Sequence, residues 1–235
     1  PLFNGLVLLY KHVTFEDLGL AIIALTILIR FILYPLFYKG IKSQAVMQKL
    51  QPELKKIQEK HKGNREAQGK AMMEFYKEHK FNPFSSFFYP LIQLPILIAV
   101  YRLFLSGLTT ESFAQLYSFV GAPATINNTF LGLIDVSQPN LIIVGVAVIV
   151  QYFQSKFSMP KRGSVDPNDK TAKMSQYMVY LAPLLMLLIL PKLPAAVSLY
   201  LITAAVFSMI QQHYIYKDVY GHSPAKQHGI TTGKN

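Results

Sequence analysis

The chain has 235 residues, 51% of them hydrophobic and only 15% charged, where an ordinary soluble domain carries about 25% charged residues. Lys and Arg number 23 against 12 Asp and Glu, a net charge of +11, with a mean hydropathy of +0.29. This balance excludes a soluble enzyme, and the absence of cysteine excludes a disulfide scaffold and a thiolate metal site.

Residues 1–18 contain an apolar run too short to span a bilayer and predict an external interfacial amphipathic helix. The opening Pro1 in place of Met predicts a processed or trimmed start. Residues 19–38 predict the first transmembrane helix, since about 20 apolar residues cross about 30 Å of hydrocarbon. Residues 39–83 carry eleven Lys/Arg. Within them Met47, Leu50, Leu54, Ile57 and His61 recur at helical spacing, GNR at 63–65 interrupts, and Ala71, Met72, Phe75 and Tyr76 form a second seam. The pattern predicts a cytoplasmic helical hairpin, with Pro52 starting a new turn or kinking the first helix. Its part 43–80 is expected to be mobile and to make few contacts with the spans. Lys55, Lys56, Lys60 and Lys62 lie on its basic face, which reads either as a surface for anionic lipid or as a docking arm for a cytoplasmic partner.

Residues 84–216 predict four more spans, at 88–107, 140–157, 174–190 and 195–216, with an external loop 108–139 and a cytoplasmic loop 158–173. Proline inside a span (Pro90, Pro95) is tolerable because neighbouring helices re-satisfy the freed carbonyl. The stretch 108–138 reads as short helices at the outer interface, and 217–235 as a cytoplasmic tail. Nineteen Lys/Arg then fall on one side of the membrane and two, Lys11 and Lys192, on the other, so the N-terminus is external and the C-terminus cytoplasmic. The fold class is thus an all-α membrane protein of five transmembrane helices with a cytoplasmic helical hairpin and an N-terminal interfacial helix.

Arg30 stands in mid-span, where a cation costs roughly 2.5–3.5 kcal/mol on the insertion scale. All twelve acidic residues lie outside the five spans, so its expected partner is water, lipid phosphate or something that arrives. Arg30 is therefore read as lining a wet cavity, with Thr26 one turn earlier on the same face. Gln93, Gln151, Gln154, Ser198, Thr203 and Gln211 could line the same cavity or bond between helices. The histidines are scattered without metal-ligand spacing, and no nucleophile elbow or phosphate loop occurs. No cofactor, metal or covalent chemistry is implied. The basic residues flank apolar runs, which argues against sequence-specific nucleic-acid binding. A transporter or channel for an anionic solute remains the alternative, although no internal repeat is evident. A structural membrane subunit would instead cover Arg30 by packing.

Several segments together resemble the YidC/Oxa/Alb superfamily of membrane protein insertases: TILIRFILYPLFYK (26–39), MQKLQPELKKIQEKH (47–61), FYKEHKFNPF (75–84), LIQLPILIAVY (91–101), YFQSKFSMP (152–160) and LPAAVSLYLITAAVFSMIQQHYIY (193–216). The resemblance is to short, five-span members of bacterial-type cell membranes. It implies a non-enzymatic chaperone that moves nascent membrane proteins into the lipid bilayer through a hydrophilic groove closed on the outside. It implies groove positions at Arg30, Thr26 and Gln154, and substrate contacts near Tyr200. At Leu201 the chain departs from the second aromatic often found there. Ribosome, Sec translocon and signal recognition components are the implied partners, and the short, mildly basic tail after Tyr216 predicts no long ribosome-binding extension.

Overall fold

The computed structural model describes residues 2–82, 85–105, 113–114, 116–123, 126–159 and 170–221. They form α1 (Leu2–His12), α2 (Leu18–Ile32), α3 (Tyr34–Lys60), α4 (Arg65–Glu78), α5 (Ser85–Leu105), β1 (Thr129–Phe130), β2 (Ile134–Asp135), α6 (Leu141–Phe157), α7 (Lys170–Ile189), a 3-10 turn (Leu190–Lys192) and α8 (Ala195–Gly221). Most of the loop expected at 158–173 and of the tail expected at 217–235 lies outside the described residues.

Caps and prolines set the helix ends. The Asp17 carboxylate accepts from the Leu20 N–H at 2.8 Å, Asn64 accepts from Ala67 N–H at 3.0 Å, and Asn140 accepts from the N–H groups of Ile142 and Ile143. Each satisfies a donor that the first helical turn leaves free. The apolar run 19–38 is not one straight helix. It breaks at Leu33, and α2 and α3 meet at a 72° bend. Pro35 explains the break: it has no N–H to donate to the carbonyl four residues back and its ring crowds that turn, yet it fits the first turn of a new helix. Pro52, by contrast, is carried inside α3.

The long helix α8 is central, packed by α2, α3, α5 and α6. Ala195, Ala196, Ala204 and Ala205 are buried along it, small residues that let neighbouring backbones approach. The main core joins Leu6 and Tyr10 of α1, Ala21, Ile22 and Leu25 of α2, Val100 and Leu103 of α5, and Leu199 and Tyr200 of α8. A second core ties α6 to the 3-10 turn and α8 through Val144, Ala147, Leu190 and Val197. A third, separate cluster of Leu50, Leu54, Phe75 and Tyr76 holds α3 and α4 together, and burial there raises the Tyr76 phenol pKa above its ordinary value.

Two further expectations change. Between 126 and 138 the described residues form turns and the antiparallel β1–β2 pair, Thr129 opposite Asp135 and Phe130 opposite Ile134, rather than a short helix, while Phe113 is helical. The Asn127 side chain accepts from the backbone N–H and hydroxyl of Thr129, and Asp135 does the same for Ser137; such local bonds compete with helix formation. The segment 43–80 also does not stand clear of the bundle. Gln48 donates to the Ser158 carbonyl and to the Tyr216 hydroxyl, and the Lys49 ammonium donates to the Val219 carbonyl at 3.0 Å. The middle of α3 is thus fixed to the ends of α6 and α8.

At the opposite end, β1 lies on the start of α2. A Cβ built at Gly19 would fall well inside contact distance of the Phe130 side chain. Gly19→Ala is expected to destabilise the solubilised protein by about 1–3 kcal/mol, the usual range for overpacking, and Phe130→Ala should recover part of it in the double variant. Equal thermal unfolding of Gly19→Ala and the parent would contradict this packing.

Candidate functional site

The break at Leu33 builds the site. It folds Phe37, from the first turn of α3, back over Arg30, in the last turn of α2, with the guanidinium carbon 4.3 Å from the ring centroid. Arg30 Nη2 donates to Gln93 Oε1 of α5 at 3.2 Å, and Gln93 Nε2 donates to the Tyr200 hydroxyl of α8 at 2.7 Å. A cation, an amide and a phenol therefore form one chain across α2, α5 and α8. Arg30 is 6% exposed and Tyr200 2%. Among the described residues no Asp or Glu forms an ion pair with Arg30.

This corrects the expected partner of Arg30: it is supplied by the protein, as a neutral amide and an aromatic face. Phe37 carried a signal in the sequence, seven residues after the arginine and two after Pro35. The remaining expected positions are distributed. Thr26 is buried and its hydroxyl donates to the Ile22 carbonyl at 2.6 Å. Gln151 reaches Ser155 of its own helix at 3.4 Å, and Gln154 is half-buried on α6; the hydrogen bonds of the Arg30 chain run to Gln93 and Tyr200, not to these. Leu201 packs partly buried between the first two cores. Lys56, Lys60 and Lys62 are exposed and Lys55 half-buried near the end of α3. The polar group that sequence reasoning missed is Gln48 with Ser158, Gln212 and Tyr216.

Polar and apolar surfaces are distributed inside out. Leu91, Leu94 and Ile98 of α5, Leu141, Ile142, Val146, Ile149 and Phe153 of α6, and Leu181, Leu184, Leu185 and Leu188 of α7 are exposed, while Thr26, Arg30, Ser198, Ser208, Gln211 and Gln212 are buried. Helix α8 is long and apolar enough to cross a membrane, and α2 with α3 qualifies as a bent pair. Apolar faces outward and polar groups inward define an α-helical membrane protein.

Residues 8–222 match the family described as 60Kd inner membrane protein. A membrane protein insertase YidC of Fusobacterium nucleatum is 33% identical over 201 residues, covering 86% of this chain and 87% of that protein. The YidC insertase of Geobacter metallireducens is 31% identical over 219 residues, covering 93% of this chain. The chain spans only 37% of that longer relative. A crystal structure of an active YidC insertase with its first transmembrane domain resolved aligns with a TM-score of 0.59 and 26% identity, covering 90% of this chain and 45% of that one. The chain belongs to the 60Kd inner membrane protein family, that of the YidC insertases.

Proposed function

We propose that this chain is a membrane protein insertase, moving nascent membrane proteins from the cytoplasm into the bilayer through a hydrophilic groove open on one side and centred on Arg30. The observation that carries the reading is the pairing of a buried cation with neutral partners only. A carboxylate partner would neutralise Arg30. An amide and a ring leave its charge available to an acidic residue that enters beside it, and a charged hydrogen bond contributes about 1.5–3 kcal/mol. Thr26, Gln93, Gln151, Gln154, Tyr200 and Leu201 complete the groove in this reading, and Phe37 covers Arg30 until a substrate displaces the ring. The work is transfer of polar groups across hydrocarbon, and no covalent step is involved.

In the same reading α2 with the start of α3, α5, α6, α7 and α8 are five spans. The N-terminus is external, and α3–α4 is a cytoplasmic arm whose Lys55, Lys56, Lys60 and Lys62 dock a ribosome, a translocon or signal recognition components. The names of the bacterial relatives support the activity, and the 19 to 2 distribution of Lys/Arg supports the orientation.

The 6% exposure of Arg30 is also what a purely structural subunit would have. Reconstitution into liposomes with a short single-span substrate separates the two. Insertion above that of protein-free liposomes, with no ion conductance in a planar bilayer, is the expected result. Insertion equal to that of empty liposomes would leave the structural reading, and conductance without substrate would favour a channel.

A further inference from the structure

The end of the bundle that carries the β-hairpin presents bulky apolar residues on loop tips. Phe15 is 95% exposed, Leu133 85%, Leu131 59% and Val13 56%. Phe15 and Leu131 also have positive φ, 52° and 54°, a region uncommon for bulky side chains and readily adopted by glycine or asparagine. Neither burial nor backbone preference accounts for Phe and Leu at these positions.

The two tips are held side by side. Asp17 caps α2 through one carboxylate oxygen and accepts from the Leu131 N–H at 2.6 Å through the other. The Thr14 hydroxyl donates to the carbonyls of Leu9 and Asp17, closing the turn that projects Phe15. The display is therefore fixed at the level of the α2 N-terminus. Six residues after β2, α6 begins its own exposed apolar face at Leu141 and Ile142 (74% and 73% exposed), which runs through Val146, Ile149 and Phe153. The 17 residues of α6 rise about 25 Å, short of a hydrocarbon core of about 30 Å. A helix that short is accommodated by local thinning of the bilayer, by residues flanking it or by oligomerisation.

We propose that Phe15, Leu131 and Leu133 form a wedge that enters the acyl chain boundary of the membrane leaflet at this end, anchoring the bundle and fixing its depth. The occupant is lipid, because the tips stand at the N-terminal end of α2, whose outer face is apolar as well at Ile27, Leu28 and Phe31, and Lys11, two residues before Val13, is turned to the Val120 and Gly121 carbonyls. Glu16, next to Phe15 in the turn and with positive φ as well, disfavours a docking protein that is itself acidic.

The chain has no tryptophan, so single Trp probes read one site each. The full chain carrying Leu133→Trp, or independently Phe15→Trp, is reconstituted into phosphatidylcholine vesicles brominated either near the headgroup or deep in the acyl chains. Ile149→Trp is the lipid-facing reference and Met73→Trp, on α4, the second reference. Wedge probes are expected to be quenched about twofold by shallow bromines and little by deep ones, as for apolar groups about 5–10 Å into the boundary. Ile149→Trp should show the reverse. Overturning results are a Leu133→Trp or Phe15→Trp probe that bromine at neither depth quenches, with acrylamide quenching equal to that of Met73→Trp. Shielding from acrylamide that rises with protein-to-lipid ratio and not with bromination would assign the patch to a second copy of the chain, which also overturns the proposal.

Discussion

Arg30→Ala, at matched protein level, is expected to lose insertion of a substrate with an acidic leading segment by about tenfold or more, whereas Arg30→Lys retains much of it. The magnitude follows from the charge. An attraction of about 1.5–3 kcal/mol that is made only while the acidic segment crosses lowers the barrier by about a factor of ten or more. Lysine keeps that charge but not the planar fork of the guanidinium, so it loses the geometry of the Gln93 bond and the face-on contact with Phe37. The alanine variant is expected to fold. Gln93 keeps the Tyr200 hydroxyl as a partner, and burial of an uncompensated cation is removed. A substrate with a neutral leading segment should be affected much less, which separates loss of the charge from loss of the fold. Equal insertion of the acidic substrate by Arg30→Ala and the parent would end the proposed role.

Helical class and membrane character were legible because they depend on composition and period. Apolar runs, blocks of Lys/Arg and the spacing of Leu50, Leu54, Phe75 and Tyr76 are properties of neighbouring residues. The importance of Arg30 was legible for the same reason, as a cost that nothing in its own segment offsets. What surrounds it was not. Its pairing with Gln93 joins residues 63 apart and the Gln93–Tyr200 bond residues 107 apart, and no periodicity encodes which of several polar residues in different helices meet. The bend at Leu33 was half legible: Pro35 was visible, but the bilayer-length apolar run favoured one straight span. The β-hairpin failed as a reading because Phe, Leu and Ile at 126–134 are equally consistent with a helix at an interface, and the Asn127 and Asp135 turns that decide the matter are local bonds rather than a pattern.

The second large effect is expected at Gln48, where the sequence suggested a mobile arm and the structure has an anchorage. Its amide nitrogen serves both the Ser158 carbonyl and the Tyr216 hydroxyl, and Gln212 reaches the Ser158 hydroxyl at 2.8 Å. One side chain of α3 thus joins the last turns of α6 and α8. Gln48→Leu keeps the volume but leaves two partly buried acceptors without this donor, a loss of about 2 kcal/mol or more. The parent should show slow amide exchange through α3 as far as Lys49 and faster exchange beyond it, because α4 is held chiefly by α3 through Leu50, Leu54, Phe75 and Tyr76. In Gln48→Leu the boundary of protection is expected to retreat toward Leu33, with Tm lowered in detergent. The consequence for function follows from the lever. An arm pivoting at Lys49 moves α4 without disturbing Phe37 and Arg30, whereas an arm freed back to Leu33 shifts Phe37 off the guanidinium. Gln48→Leu should therefore also alter insertion of acidic substrates, while cutting the arm beyond Lys49 should impair delivery and leave α2, α5 and α8 protected. Uniform protection from residue 43 to residue 78, in the parent and in Gln48→Leu alike, would show that no such pivot exists.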